Sequence, residues 1–127
     1  MAWRPSLVLP LVIALALIAL APIAAHAHAI IVDSAPSVNA TVPGPDVDVS
    51  LRFNSRIDHD RSSLTLSRVG ASAGSHPVSL PLLPEDSPQF LRAHLTGLAA
   101  GAYSLRWQVL SVDGHITRGD IPFKVGR

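Results

Sequence analysis

Beyond residue 28 the hydrophobic positions recur with a period of two, in short runs. Val47, Val49, Leu51 and Phe53 are apolar, with Asp48, Ser50 and Arg52 between them. Leu64 and Leu66 alternate with Ser63, Thr65 and Ser67, and Leu91, Ala93 and Leu95 alternate with Arg92, His94 and Thr96. Tyr103, Leu105, Trp107 and Val109 enclose Ser104, Arg106 and Gln108 in the same way. A period of two with one apolar face is the signature of half-buried antiparallel strands. No stretch in this region keeps an apolar stripe at helical spacing over three turns, and prolines interrupt it repeatedly. Turn residues separate the runs: Pro43-Gly44-Pro45, Gly70 to Gly74, Pro84 to Pro88 and Gly97 to Gly101. The pattern predicts an all-β fold, a two-sheet Greek-key β-sandwich or barrel of about seven or more short strands. Gly70-Ala71-Ser72-Ala73-Gly74-Ser75 reads as a flexible hairpin tip. A sandwich by itself specifies no activity.

The front of the chain has a different pattern. Leu7 to Ala25 is an uncharged run of 19 residues, preceded by Arg4 and followed by Ala25-His26-Ala27. A basic start, an apolar middle and an Ala-x-Ala exit predict a secretory signal peptide over 1–27, leaving a mature domain over 28–127. The alternative is an uncleaved anchor, since about 20 apolar residues can span a bilayer. Pro10, Pro22 and the lack of a following basic cluster weigh against it. A cut after Ala25 is the other option, but it puts Ile23 at the outer recognition position. The expected location is outside the cytoplasm.

Composition narrows the chemistry. The chain has 127 residues and no cysteine, which removes disulfide staples, thiolate zinc sites, iron–sulfur clusters, cysteine catalysis and blue-copper centres. Its formal charge is +1, and without Arg4 the mature region is neutral. A nucleic-acid binder would normally carry a strong positive field.

Six histidines are the remaining candidates. Cleavage after Ala27 removes His26 and makes His28 the first residue. Its free α-amine and ring Nδ1 would then form one chelate of the kind that suits Cu(II), which favours nitrogen and oxygen donors in a tetragonal plane. The alternative is a frayed terminus whose histidine is incidental. Asp113-Gly114-His115 places a carboxylate and an imidazole at i and i+2, with a glycine that lets the backbone turn between them. With His28 it supplies a four-donor set; alone it reads first as an Asp-Gly turn in which Asp113 bonds its own backbone and His115 is merely exposed. His59, in Ile57-Asp58-His59-Asp60, reads as part of a solvated loop or a minor metal site. His94 occupies a polar strand position and should face solvent, and His76 precedes Pro77 in a loop; neither has a partner at recognisable spacing. No phosphate loop, Gly-x-Ser-x-Gly elbow or His-Glu-x-x-His is present. Ser111 lies near Asp113 and His115, but local spacing does not establish a triad.

These residues resemble the CopC family of periplasmic copper-resistance proteins. The closing segment carries Gly101-Ala102-Tyr103, Trp107, Ser111-Val112-Asp113-Gly114-His115, Gly119 and Phe123-Lys124-Val125. The front carries His28-Ala29, Ser34-Ala35-Pro36 and Leu51-Arg52-Phe53-Asn54. The resemblance covers essentially all of 28–127. It implies a cupredoxin-like or immunoglobulin-like sandwich in the periplasm. It also implies one Cu(II) per chain, held by the amine and ring of His28, by Asp113 and by His115. Many family members add a methionine-rich loop for Cu(I). Here the sole methionine is Met1, so a dedicated Cu(I) thioether site is excluded. Ile116 replaces the proline that many relatives have after the histidine, which bears on how tightly the turn is held.

The expected function is therefore an exported, non-enzymatic Cu(II)-binding protein of copper homeostasis or resistance. Its expected partners are the copper ion and an inner-membrane copper transporter of the CopD type, with no nucleic acid and a monomeric state. The alternatives are a copper-dependent oxidative enzyme of the polysaccharide monooxygenase type and a metal-free adhesion module.

Overall fold

The computed structural model describes residues 28–70 and 76–126. Eight strands follow in order: β1 (Ile31–Ala35), β2 (Thr41–Pro43), β3 (Val47–Phe53), β4 (Ile57–Arg68), β5 (Val78–Ser79), β6 (Phe90–Leu95), β7 (Gly101–Ser111) and β8 (Ile116–Gly126). They build a three-stranded sheet, β1-β3-β6, and a five-stranded sheet, β2-β8-β7-β4-β5. All pairings are antiparallel except β2 with β8. The β4–β5 and β7–β8 connections stay within one sheet, and the others cross between sheets. This is the Greek-key β-sandwich that the alternation predicts. The predicted leader, 1–27, and the tip residues 71–75 lie outside the described residues.

The core forms where the inward faces of the two sheets meet. Val47, Val49, Leu51 and Phe53 of β3 and Leu91, Ala93 and Leu95 of β6 face Leu64, Leu105, Val109, Ile121 and Phe123 of the larger sheet. Each such aliphatic or aromatic side chain contributes roughly 1.5–3 kcal/mol on full burial. Phe53 and Trp107 meet edge to face across the sheets, 5.3 Å between centroids, a preferred aromatic geometry. Trp107 lies opposite Gly119 in the β7–β8 ladder, and a Cβ at Gly119 would come within 2.7 Å of the indole. The glycine is what lets the ring lie against β8. Tyr103 closes the β6–β7 corner, its hydroxyl donating to the Ala99 carbonyl at 2.7 Å, as in the tyrosine corner of immunoglobulin-like sandwiches.

One expectation needs correcting. Ile57 to Asp60 is not a loop but the start of β4. The ladder with β7 pairs Asp58 with Leu110 and next Ser63 with Gln108, so five steps along β4 oppose two along β7. The excess forms a bulge carrying His59, Asp60 and Arg61. Bulges break the period of two: Ile57 points inward before the bulge, and Ser62, Leu64 and Leu66 point inward after it.

Candidate metal centre

The candidate residues come together at one end of the sandwich, where β7 turns into β8. The turn over 112–115 is closed by backbone bonds: Ser111 N–H donates to the His115 carbonyl and Gly114 N–H to the Ser111 carbonyl, both at 2.9 Å. Gly114 has φ +87°, a left-handed conformation costly for side chains bearing a Cβ. Ile116 pairs with Leu110 as the first rung of β8, so the turn is closed without a proline there.

The turn orients Asp113. One carboxylate oxygen, Oδ1, accepts a very short hydrogen bond from the Ser111 hydroxyl and another from His115 N–H at 3.2 Å. The other, Oδ2, lies 3.1 Å from His115 Nδ1. The Ser111 hydroxyl, followed by the His115 N–H, holds the carboxyl at about 2, well below its ordinary value. Desolvation opposes this shift, and the His115 imidazole adds to it least. Asp113 is therefore an anion throughout the neutral and mildly acidic range. Ser111 donates to the carboxylate, whereas a hydrolytic triad needs its serine on the imidazole.

The N-terminal segment is fixed at this same end. Ala29 is fully buried, and its carbonyl accepts from the Thr117 hydroxyl at 2.7 Å. Ile30 and Asn54 exchange two bonds, Ile30 N–H to Asn54 Oδ1 at 2.9 Å and Asn54 N–H to the Ile30 carbonyl at 3.0 Å. Held by β8 and by the residue after β3, the segment sets the His28 ring edge to face with His115, 4.9 Å between centroids. These anchors hold residues 29 and 30 ahead of β1. His28 and His115, distant in sequence, are thus adjacent, with Asp113 against His115. The contacts are pairwise. Among the described residues, no three His, Asp or Glu side chains form a ready metal cage.

The other histidines lie elsewhere. His59, on the β4 bulge, has Nε2 3.1 Å from the Leu83 carbonyl and Nδ1 3.8 Å from Asp60. His76 is exposed ahead of β5. His94 faces solvent as expected, but it does have a partner: its Nδ1 is 2.5 Å from Asp48 Oδ1 across the β3–β6 ladder. Sequence reasoning assigned no role to Asn54 or Thr117, and no local signal marks them. Ser111 does carry one, since a serine occupies the next inward position of the alternating β7.

The model of one family, the CopC domain, matches residues 31–126. The chain belongs to the CopC family. Among curated relatives, this CopC-family chain is 32% identical over 110 residues to Copper resistance protein C of Xanthomonas campestris pv. juglandis, covering 84% of this chain and 86% of that one. It is 28% identical over 106 residues to Protein YobA of Escherichia coli (strain K12), covering 80% and 79%. Among solved structures, CopC from Methylosinus trichosporium OB3b superposes with a TM-score of 0.67 at 30% identity, covering 77% of this chain and 93% of that one. PcoC, a methionine-rich copper resistance protein from Escherichia coli, gives 0.69 at 26% identity, covering 79% and 100%. Asp113 and His115 fall inside the CopC match, and His28 lies three residues ahead of its start.

Proposed function

We propose that this CopC-family chain is an exported Cu(II)-binding protein that sequesters copper in the periplasm or passes it on. In this reading residues 1–27 are a cleaved leader and the mature domain is 28–127. One Cu(II) is held by the α-amine and imidazole of His28, the carboxylate of Asp113 and the imidazole of His115. The observation that carries the reading is the adjacency of the His28 and His115 rings, with an oriented, anionic Asp113 beside His115. Nitrogen donors plus one carboxylate match the tetragonal preference of Cu(II), and the lack of mature methionine argues against a thioether site for Cu(I). Two of the similar proteins are named for copper resistance, which supports copper as the cargo. The domain works as a monomeric carrier rather than a catalyst, and an inner-membrane transporter of the CopD type is its exchange partner.

The test joins intact mass to metal content. Exported protein should begin at His28 and retain one copper per chain after Cu(II) loading and desalting, with nitrogen couplings in its electron paramagnetic resonance spectrum. An attached leader, or complete loss of copper on desalting, would overturn the proposal.

A further inference from the structure

Along β7 the inward positions run Tyr103, Leu105, Trp107, Val109 and then Ser111, which is only 2% exposed. Packing alone would favour an apolar residue there, because a buried hydroxyl is costly unless it is hydrogen-bonded. Both oxygens near the Ser111 hydroxyl belong to the 112–115 turn: Asp113 Oδ1 and the His115 carbonyl at 3.0 Å. A hydroxyl has one hydrogen to donate. The His115 carbonyl already accepts Ser111 N–H, and an ionised carboxylate is the stronger acceptor, so the hydrogen goes to Asp113. Oδ1 is then saturated by the hydroxyl and by His115 N–H, which leaves Oδ2, on the side of His115 Nδ1 at 3.1 Å, as the oxygen that a ligand can share.

We infer that Ser111 is a positioning residue for the metal, anchoring one carboxylate oxygen of Asp113 so that the other is presented singly and in a fixed direction. This rests on the copper reading above and adds to it a role for a buried side chain outside the proposed ligand set. Replacing Ser111 with alanine removes the stronger of the two anchors and frees the carboxylate to rotate, at little cost in volume.

The experiment compares wild type, Ser111→Ala, Ser111→Thr and His115→Ala as exported, processed proteins. Cu(II) affinity is measured by chelator competition, the copper environment by electron paramagnetic resonance, and the metal-free fold by thermal melting. Ser111→Ala should melt within a few degrees of wild type, bind Cu(II) about 10–100-fold more weakly, as is usual when a ligand's supporting partner is lost, and show an altered copper hyperfine splitting. Ser111→Thr, which keeps the hydroxyl, should restore affinity and spectrum together. Wild-type affinity and spectrum in Ser111→Ala would overturn the inference, as would weaker binding with an unchanged spectrum or a Ser111→Thr protein as weak as Ser111→Ala. If wild type itself retains no Cu(II), the copper reading fails. If wild type binds, His115→Ala does not, and Ser111→Ala matches wild type, only the positioning role fails.

Discussion

Two histidine–aspartate pairs in this molecule join the same two groups at short range and differ in everything around them. His94 and Asp48 face each other across β3 and β6, 2.5 Å apart, on the outer face of the small sheet, with side chains 47% and 88% exposed. His115 and Asp113 are 3.1 Å apart in a tight turn, with Asp113 28% exposed. Behind Asp113 stands a buried hydroxyl, and beside His115 stands a second imidazole delivered by an anchored terminal segment. A cross-strand contact on a solvated face is screened by water and contributes little. The pair in the turn has preorganised orientation and a third donor at hand. Support and convergence, rather than the proximity of one imidazole to one carboxylate, distinguish a candidate site from an ordinary contact.

That contrast can be broken directly. Asp113→Ala and His115→Ala should each weaken Cu(II) binding by more than about 100-fold, beyond the loss expected for a supporting residue. Asp48→Ala and His94→Ala should leave affinity within about twofold, because a pair on the outer face of the small sheet lies outside the proposed ligand set. Comparable losses in both sets, read by chelator competition, would erase the distinction. A smaller effect sharpens it through pH. Asp113, held at about 2, stays ionised as the pH falls from 8 to 5. On the proposed reading, Cu(II) affinity should therefore fall over that range through protons competing for nitrogen, including an α-amine whose ordinary value is about 7.7–8.0. In the metal-free protein the sign is that of a depressed carboxyl. Its stabilising share is present above its ordinary value of 3.8 and is lost as the pH falls through about 2. Thermal melts of wild type and Asp113→Asn should still differ at pH 5 and converge as the pH approaches 2. A difference that already vanishes near pH 5 would contradict the bonding described.

Much of this was legible in the alternation. β3, β6 and β7 are regular strands buried on one face, and their residues show it. β1, β2 and β5 are short or only partly buried, so their sequences carry little period. The start of β4 was misread because its bulge shifts the inward phase between Ile57 and Ser62. Asp113-Gly114-His115 could be singled out because its spacing is local. The arrival of His28 beside it could not be read from spacing, since it depends on Ala29 entering the core and on Thr117 and Asn54 gripping the backbone at either side. Those contacts join residues from the two ends and the middle of the chain.

On the proposed reading, cleavage after Ala27 makes the His28 amine itself a copper donor. Cu(II) affinity is therefore compared between processed protein beginning at His28 and the same protein with that amine acetylated. Acetylation should weaken binding by more than about 100-fold, with one nitrogen fewer in the paramagnetic resonance spectrum. Equal affinity and identical nitrogen couplings in the two forms would contradict that reading.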